Sequence, residues 1–176
     1  DDVYRDRQDP ALTVWLTLDS GERILIWTTT AWTLPANLAI AVGPDIDYAV
    51  MEDADGERYV LAESRLGAYE KELSGATQVA TLKGSELVGR RYMPLFDYFS
   101  DVERFGTGNA FQVLGGDFVS TEDGTGVVHM APGFGEDDQI ASNAAGIPTI
   151  CPMDEHGRYT AEVAPWAFAA RTEAEV

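Results

Sequence analysis

Hydrophobic and polar residues alternate near the start of the chain, as they do in a β-strand with one buried face. Within residues 12–18 every second residue is leucine or valine. Residues 19–22 are rich in turn formers, and a second apolar run follows over residues 23–27. This pattern predicts a β-hairpin.

Short apolar runs continue along the chain and outnumber helical patterns. They predict further strands at residues 38–42, 48–52, 58–62, 77–83, 111–114, 118–120, 126–130 and 148–151. Residues 63–73 and 136–145 favour helices. Many short strands with two helices predict a mainly β domain with peripheral helices, of the α+β class, built on a barrel-like core instead of a doubly wound sheet.

The bulk composition is that of one globular domain. The chain has 176 residues, of which 45% are hydrophobic, and a single cysteine, Cys151. No apolar run approaches the length of a membrane span, and no signal-peptide pattern opens the chain. We therefore expect a cytoplasmic protein with no internal disulfide. The polar start, residues 1–6, resembles the cut end of something longer.

The formal charge of −18 argues against a protein that binds nucleic acid by itself. Twelve lysines and arginines stand against 30 aspartates and glutamates, whereas phosphate neutralisation supplies most nucleic-acid affinity. The best basic patch is short and comprises Lys83, Arg90 and Arg91. If this domain meets a nucleic acid, other parts of a larger protein must deliver the strand.

Residues 124–138 carry the densest candidate chemistry. Glycines bracket a β-branched strand that ends at His129, and a proline–glycine turn then runs into an acidic helix start at residues 136–138. A strand, tight loop and helix start would place backbone amides, an imidazole and carboxylates together, as a small ligand with a positive charge requires. Each part also has a plainer interpretation, because His129 could be a core residue and the acids could favour the helix dipole.

A second segment, residues 27–37, contains three consecutive threonines, Thr28, Thr29 and Thr30. Threonines in a row are common in strands, where their hydroxyls cap nearby backbone. Here tryptophan, leucine and proline anchors lie on both sides, and they can fix the loop so that the hydroxyls face a ligand.

Together the two segments resemble the editing domain of the class I aminoacyl-tRNA synthetases for isoleucine, valine and leucine, and most closely the isoleucyl branch. The similarity runs from about residue 4 to residue 160. It implies a closed mixed β-barrel with peripheral helices, and a single editing domain, residues 1–176, taken from a larger synthetase.

The resemblance also implies roles for individual residues. Asp138 would bind the α-ammonium group of the substrate, and His129 would contact its side chain and limit its size. The implied catalytic positions are Thr28, Thr29, Thr30, His129 and Asp138, and the implied substrate-binding positions are Trp32, Thr33, Asn37, Gly133 and Asp137. The general base stays open.

The implied activity is hydrolysis of the ester of valyl-tRNA(Ile), because a pocket for isoleucine rejects the smaller valine only weakly. Partners would be the aminoacylated 3′ end of tRNA, non-cognate valine and the remaining domains of the parent enzyme, with no membrane. We expect no cofactor and no metal site here, since ATP and any zinc belong to other parts of such an enzyme. Alternatives are a valyl- or leucyl-type editing domain, a binding-only module for the tRNA end, or a purely structural β domain.

Overall fold

The structure, a computed structural model, describes residues 11–163. The polar start at residues 1–6 and the first positions of the resemblance, from residue 4, lie outside the described residues.

The described chain is mainly β. Its strands are β1 (Leu12–Thr17), β2 (Arg23–Thr28), β3 (Ala39–Val42), β4 (Asp47–Glu52), β5 (Arg58–Ala62), β6 (Thr77–Lys83), β7 (Gln112–Gly115) and β8 (Val127–Met130). Its α-helices are α1 (Gly84–Leu87), α2 (Val102–Phe105) and α3 (Glu136–Ala144), and 3-10 helices span Ala31–Ala36, Glu63–Tyr69 and Ala161–Val163.

All eight strands belong to one mixed sheet with the order β6-β4-β5-β2-β8-β3-β7, and β1 pairs with β2. The predicted hairpin is confirmed, because β1 and β2 are antiparallel with Leu12 opposite Thr28. By contrast, β8 runs parallel to β2, with Trp27 opposite Val128. Parallel strands end at the same edge of a sheet, so the residues after β2 and those after β8 come together.

The prediction of a closed barrel is wrong, since the described sheet is an open half-barrel with β6 and β7 at its ends. After β6 the chain turns at Gly84, where a side chain would stand 1.9 Å from the carbonyl oxygen of Gly43. The segment after α1 lies beside β7 without forming a named strand, and the amide of Gly89 donates to the carbonyl oxygen of Val113 at 2.8 Å.

The concave side of the sheet holds the main core, in which Ile24, Ile26, Ile40, Val60 and neighbouring apolar residues are almost completely buried. A second cluster joins β3 and β8 to the later part of the chain, through Leu38, Met130, Ile147 and Phe99. Val127 of β8 belongs to the first cluster and Met130 to the second, so both ends of the strand that carries His129 are packed in the core.

Two of the predicted strands are absent, and one predicted helix has another form. Residues 118–120 fold back, and the Phe118 ring lies over Gly116, within 2.5 Å of where a side chain would begin. Residues 148–151 pack against Gly133 without pairing with a strand. The segment predicted as a helix over 63–73 is a 3-10 helix as far as Tyr69, with Gly67 in its middle.

The helix predicted over residues 136–145 is confirmed as α3, and the remaining predicted strands are present within a residue or two. The segment predicted as a loop over 28–37 contains the 3-10 helix Ala31–Ala36. No helix within residues 11–163 is long and apolar enough to cross a membrane.

Candidate functional site

A cleft of about 550 Å³ opens where β2 and β8 end. Its walls are the ends of the two strands, the start of the 3-10 helix after β2, the loop before β8, and the turn into α3. The residues that line it are Trp27, Thr28, Thr29, Thr30, Trp32, Thr33, Phe118, Ser120, Glu122, Asp123, Thr125, Gly126, Val127, Val128, His129, Ala131, Phe134 and Asp138.

The cleft brings together most of the site residues expected from the sequence, which are Thr28, Thr29, Thr30, Trp32, Thr33, His129 and Asp138. Asn37 does not line it, but is buried behind His129 and contacts its ring. Asp137 is exposed on α3 and is not among the residues that line the cleft. Gly133 lies in the turn, where its lack of a side chain lets the carbonyl oxygen of Ile150 come within 2.3 Å of the place a Cβ would occupy.

His129 is buried and uses both of its ring nitrogens. Nε2 lies 2.8 Å from the hydroxyl oxygen of Thr33, and Nδ1 lies 2.8 Å from the side-chain nitrogen of Asn37. An amide nitrogen has hydrogens to donate and no lone pair to accept with, so Nδ1 is the acceptor. The hydrogen of the neutral ring is therefore on Nε2.

The opposite end of the ring requires the same tautomer. The hydroxyl of Thr33 donates to the carbonyl oxygen of Thr30 at 2.8 Å, and it is therefore the acceptor for the Nε2–H group of His129. Burial lowers the pKa of His129 to about 4, because desolvation disfavours the imidazolium. At neutral pH His129 is an uncharged ring whose one ring-nitrogen lone pair is already engaged with Asn37.

The threonines after β2 form a compact hydroxyl cluster. The Thr28 hydroxyl oxygen accepts a hydrogen bond from the backbone amide of Thr30 at 3.0 Å. The Thr30 hydroxyl lies 3.4 Å from that of Thr28 and 3.3 Å from that of Thr33. Thr29 and Thr30 are exposed to the cleft whereas Thr28 and Thr33 are buried, so the cluster offers hydroxyls at the surface and fixes them from behind.

Asp138 is one of the acidic side chains that line the cleft. It lies in the first turn of α3, where a carboxylate commonly caps the helix, but here its Oδ2 accepts a hydrogen bond from the amide of Ala131 at 3.0 Å. The side chain is half-buried. Burial and, to a smaller extent, the neighbouring charge of Asp137 raise the pKa of Asp138. A cation that reached this carboxylate would relieve both effects.

Aromatic rings border the cleft on two sides. The Trp32 and Phe134 rings meet edge to face, with centroids 5.1 Å apart, and the hydroxyl of Tyr159 donates to the carbonyl oxygen of Trp32 at 2.5 Å. Phe118, exposed by 43%, lies in the loop before β8. These rings give the entrance flat apolar surfaces that a nucleobase or an aliphatic side chain can cover.

The loop before β8 was not expected in the site, although it contributes Phe118, Ser120, Glu122 and Asp123 to the lining. Arg65, far away in the sequence, holds it in place by donating to the carbonyl oxygen of Gly124 at 2.7 Å and to that of Glu122 at 3.2 Å. The sequence signal was indirect, because the loop merely precedes the glycines of the strongest motif.

The charges of the cleft are of one sign. Glu122, Asp123 and Asp138 line it, and no lysine or arginine does so within residues 11–163. The same part of the chain has no group of three or more potential metal ligands. The cleft can therefore bind a small cation beside a hydroxyl cluster and a neutral imidazole ring.

Comparison with known proteins gives close relatives by sequence. The chain is 50% identical over 175 residues to the isoleucine–tRNA ligase of Mycobacterium tuberculosis and 50% identical over 166 residues to that of Rickettsia bellii. These matches cover 94% and 93% of this chain, but 16% and 14% of the two ligases. The chain thus spans about a sixth of the length of its curated relatives. No protein-family model matches it.

Solved structures with the same fold are more distant in sequence. The editing domain of the cytosolic leucyl-tRNA synthetase from P. knowlesi superposes with a TM-score of 0.56 at 14% identity, covering 73% of this chain and 59% of the other. A structure described as GlLeuRS-CP1 gives a TM-score of 0.56 at 16% identity, covering 70% and 44%. At such identities the likeness concerns the fold.

Proposed function

We propose that this chain, which belongs to the same family as one segment of the isoleucine–tRNA ligases, is an editing module that hydrolyses the ester of valyl-tRNA(Ile). The observation that carries the proposal is the single cleft in which the threonine cluster, neutral His129 and Asp138 meet. An aminoacyl ester presents an ammonium group, a reactive carbonyl and a side chain, and the cleft has a suitable group for each.

The ammonium group would bind to Asp138. Its Oδ2 accepts a hydrogen bond from the amide of Ala131, and burial raises the pKa of the carboxyl, so a bound cation would stabilise the ionised form. The cleft lacks cationic side chains within the described residues, so it favours an ester over a free amino acid, whose carboxylate it would repel.

The side chain of the bound amino acid would contact His129. That ring is fixed at both nitrogens, and a fixed wall excludes a larger ligand because moving it would break buried hydrogen bonds. Valine would fit beside the ring, and the additional methylene of isoleucine would collide with it. The ring thus supplies the size limit that a second sieve requires.

The hydrolysis itself needs a water molecule near the ester carbonyl. The hydroxyls of Thr29 and Thr30, which face the cleft, can hold that water and the carbonyl oxygen. The one ring-nitrogen lone pair of His129 already accepts from Asn37, so the neighbouring ribose hydroxyl of the tRNA is the group that would orient the water. The water oxygen forms the new bond to the carbonyl carbon, the bond to the ribose oxygen breaks, and that oxygen takes up the proton.

The chain has little means to hold the tRNA by its backbone. The ammonium of Lys83 is paired with Asp47 at 2.7 Å, Arg91 donates to the carbonyl oxygens of Ala110 and Gly108, and Arg90 donates to the hydroxyl of Ser20. The basic patch noted in the sequence is therefore engaged internally. Other domains of the parent enzyme would position the polynucleotide, and this chain would bind its aminoacylated end.

A deacylation assay tests the proposal. Valyl-tRNA(Ile) and isoleucyl-tRNA(Ile), each labelled in the amino acid, are incubated with the 176-residue chain, and the release of label is compared with spontaneous hydrolysis. Faster release of valine than of isoleucine is expected. Equal release of both amino acids would contradict the size limit, and binding of the acylated end without any release would favour the binding-only alternative.

A further inference from the structure

His129 is held by a chain of buried hydrogen bonds that begins at a residue outside the cleft. The hydroxyl of Tyr92 donates to the side-chain oxygen of Asn37, and the side-chain nitrogen of Asn37 donates to Nδ1 of His129. We propose that Tyr92 is a positioning residue that acts through Asn37 to hold His129 in its Nε2–H tautomer. The consequence for substrate selection rests on the proposed function, whereas the tautomer itself does not.

Tyr92 is well placed to fix another residue, because its own position is determined by the fold. Its ring is 4% exposed and meets the Phe111 ring edge to face, with centroids 6.1 Å apart. Its backbone amide donates to the carbonyl oxygen of Phe111 at 3.0 Å. Burial raises the pKa of Tyr92 well above its ordinary value, so the hydroxyl keeps its hydrogen and remains a donor.

Asn37 has one orientation that satisfies all of its neighbours. Its nitrogen donates to the carbonyl oxygen of Ala39 at 2.9 Å and to His129, and its oxygen accepts from Tyr92. If the amide rotated by half a turn, its oxygen would face the oxygen of Ala39, and the hydroxyl of Tyr92 would have to turn from donor to acceptor to meet the nitrogen. Tyr92 thus supplies one of the two contacts that oppose rotation, and it is the sole donor to the oxygen among the described residues.

Rotation of that amide would exchange the donor and acceptor roles along the series of hydrogen bonds that includes His129. An oxygen facing Nδ1 would select the tautomer with hydrogen on Nδ1, and Nε2 would then become an acceptor. The hydroxyl of Thr33 would have to turn from the carbonyl of Thr30 to donate to Nε2. Because the hydroxyl cluster of the cleft includes Thr30 and Thr33, the wall and the groups around the reacting ester would change together.

The test measures the tautomer by nitrogen-15 NMR of the histidine rings. The chain contains two histidines, and His156→Gln leaves the signal of His129 alone. We expect a single Nε2–H tautomer at pH 7 in the wild-type background. In Tyr92→Phe we expect a second signal, or exchange broadening, from the Nδ1–H form. Tyr69→Phe is the matched control, since it also removes a tyrosine hydroxyl, one that is partly buried, lies 2.9 Å from the hydroxyl of Thr13 and is outside the cleft lining.

Two results would overturn the proposal: an Nδ1–H tautomer or a mixture in the wild-type background, or a His129 spectrum in Tyr92→Phe identical to that of the Tyr69→Phe control. If Tyr92→Phe does not fold, Asn37→Asp takes its place. A carboxylate facing Nδ1 accepts only, so this variant should hold the Nδ1–H form, and persistence of the Nε2–H form would also overturn the proposal.

An activity measurement separates this inference from the proposed function. In Tyr92→Phe the ratio of valyl- to isoleucyl-tRNA hydrolysis should fall by roughly tenfold, the equivalent of about 1.4 kcal/mol, while in Tyr69→Phe it should not change. An unchanged ratio in Tyr92→Phe would remove the link to substrate selection. If no variant and no wild-type chain hydrolyses either ester, the proposed function fails, and the tautomer result alone decides this inference.

Discussion

The carboxylate of Asp138 reaches back across the turn before α3 and accepts a hydrogen bond from the amide of Ala131 at 3.0 Å. This contact directs the side chain into the cleft and away from the first amides of its own helix. An acidic residue in the first helical turn is ordinarily explained by the helix dipole. Here the side chain instead belongs to the wall of a pocket that has no positive group among the described residues.

Replacing Asp138 by asparagine should abolish most of the valyl-tRNA hydrolysis. The side-chain oxygen of asparagine can still accept from Ala131, so the fold should be retained, but the charge that binds the ammonium group is lost. A hydrogen bond to a charged group contributes about 1.5–3 kcal/mol, which predicts a fall in kcat/KM of roughly 10- to 150-fold. Steady-state deacylation of valyl-tRNA(Ile) by the two proteins measures this fall in kcat/KM.

Asp137→Asn is the matched control, because Asp137 is adjacent in sequence but exposed and outside the lining. Its hydrolysis should stay near that of the wild type. Both variants should be as stable as the wild type or slightly more stable. The raised pKa of Asp138 means that its negative charge at pH 7 destabilises the folded state. Near wild-type activity in a folded Asp138→Asn chain would contradict the assignment.

His129→Ala should let the domain accept isoleucine. Removal of the ring enlarges the cleft at that position, while the hydroxyl cluster and Asp138 remain. We expect hydrolysis of isoleucyl-tRNA(Ile) to appear, and that of valyl-tRNA(Ile) to continue at a reduced rate. Loss of both activities, in a variant whose circular dichroism is unchanged, would instead identify His129 as a group required for the chemical step.

The stability of the fold should depend on pH through His129. Burial lowers its pKa to about 4, below the ordinary 6.5 of an unfolded chain. Between these values the unfolded chain binds the proton and the fold does not, so the free energy of unfolding is full above pH 6.5 and falls as the pH decreases toward 4. The contribution lost is about 3 kcal/mol. Urea unfolding measures this free energy at pH 7 and pH 4.5, and the decrease between them should be smaller in His129→Gln than in the wild type. Equal decreases in the two proteins would contradict the burial of a neutral ring.

The sequence was sufficient for those parts of the site that depend on local pattern. The alternation over residues 12–18 predicted the hairpin, and the strand ending at His129 was predicted within a residue. The resemblance suggested that the threonines and Asp138 belong to one site, and the parallel pairing of β2 with β8 explains how they meet.

Features set by distant contacts could not be predicted in the same way. The loop over residues 117–123 contains an apolar run that favours a strand, yet the Phe118 ring folds back over Gly116 and Arg65 fixes the carbonyl oxygens of Glu122 and Gly124. The strand count predicted a barrel-like core and the resemblance implied a closed barrel, whereas the described sheet is open, with β6 and β7 at its ends. The resemblance placed Asn37 among the substrate-binding positions, and nothing in the local sequence shows that it lies behind His129.

Arg65 provides a test of that loop. Arg65→Ala removes two hydrogen bonds to its backbone, so the wall that includes Glu122 and Asp123 should loosen, and kcat/KM for valyl-tRNA hydrolysis should fall on the order of tenfold. Arg58→Ala is the control, since Arg58 pairs with Glu52 on the exposed surface at 2.9 Å. Faster amide hydrogen exchange over residues 118–125 in Arg65→Ala, but not in Arg58→Ala, would accompany the effect. Unchanged exchange would contradict it.

The isolated chain should bind uncharged tRNA weakly and with little dependence on salt. Its charge is −18, and Lys83, Arg90 and Arg91 are already engaged within the fold. Each phosphate contact contributes roughly 0.7 to 0.9 to the slope of log affinity against log salt, so we expect a slope equivalent to about one or two contacts.

A small analogue of the acylated end, valine joined to adenosine through a non-hydrolysable link, should nevertheless bind. Its ammonium group would meet Asp138, and its other groups would meet the hydroxyl cluster and the aromatic rings of the cleft. Calorimetry with the analogue and with uncharged tRNA, each at two salt concentrations, compares the two modes of recognition. Asp138→Asn should no longer bind the analogue, whereas its binding of tRNA should not change. Tight and steeply salt-dependent binding of tRNA, with no heat from the analogue, would show that the chain recognises the nucleic-acid backbone and that the cleft is not where the aminoacyl end is bound.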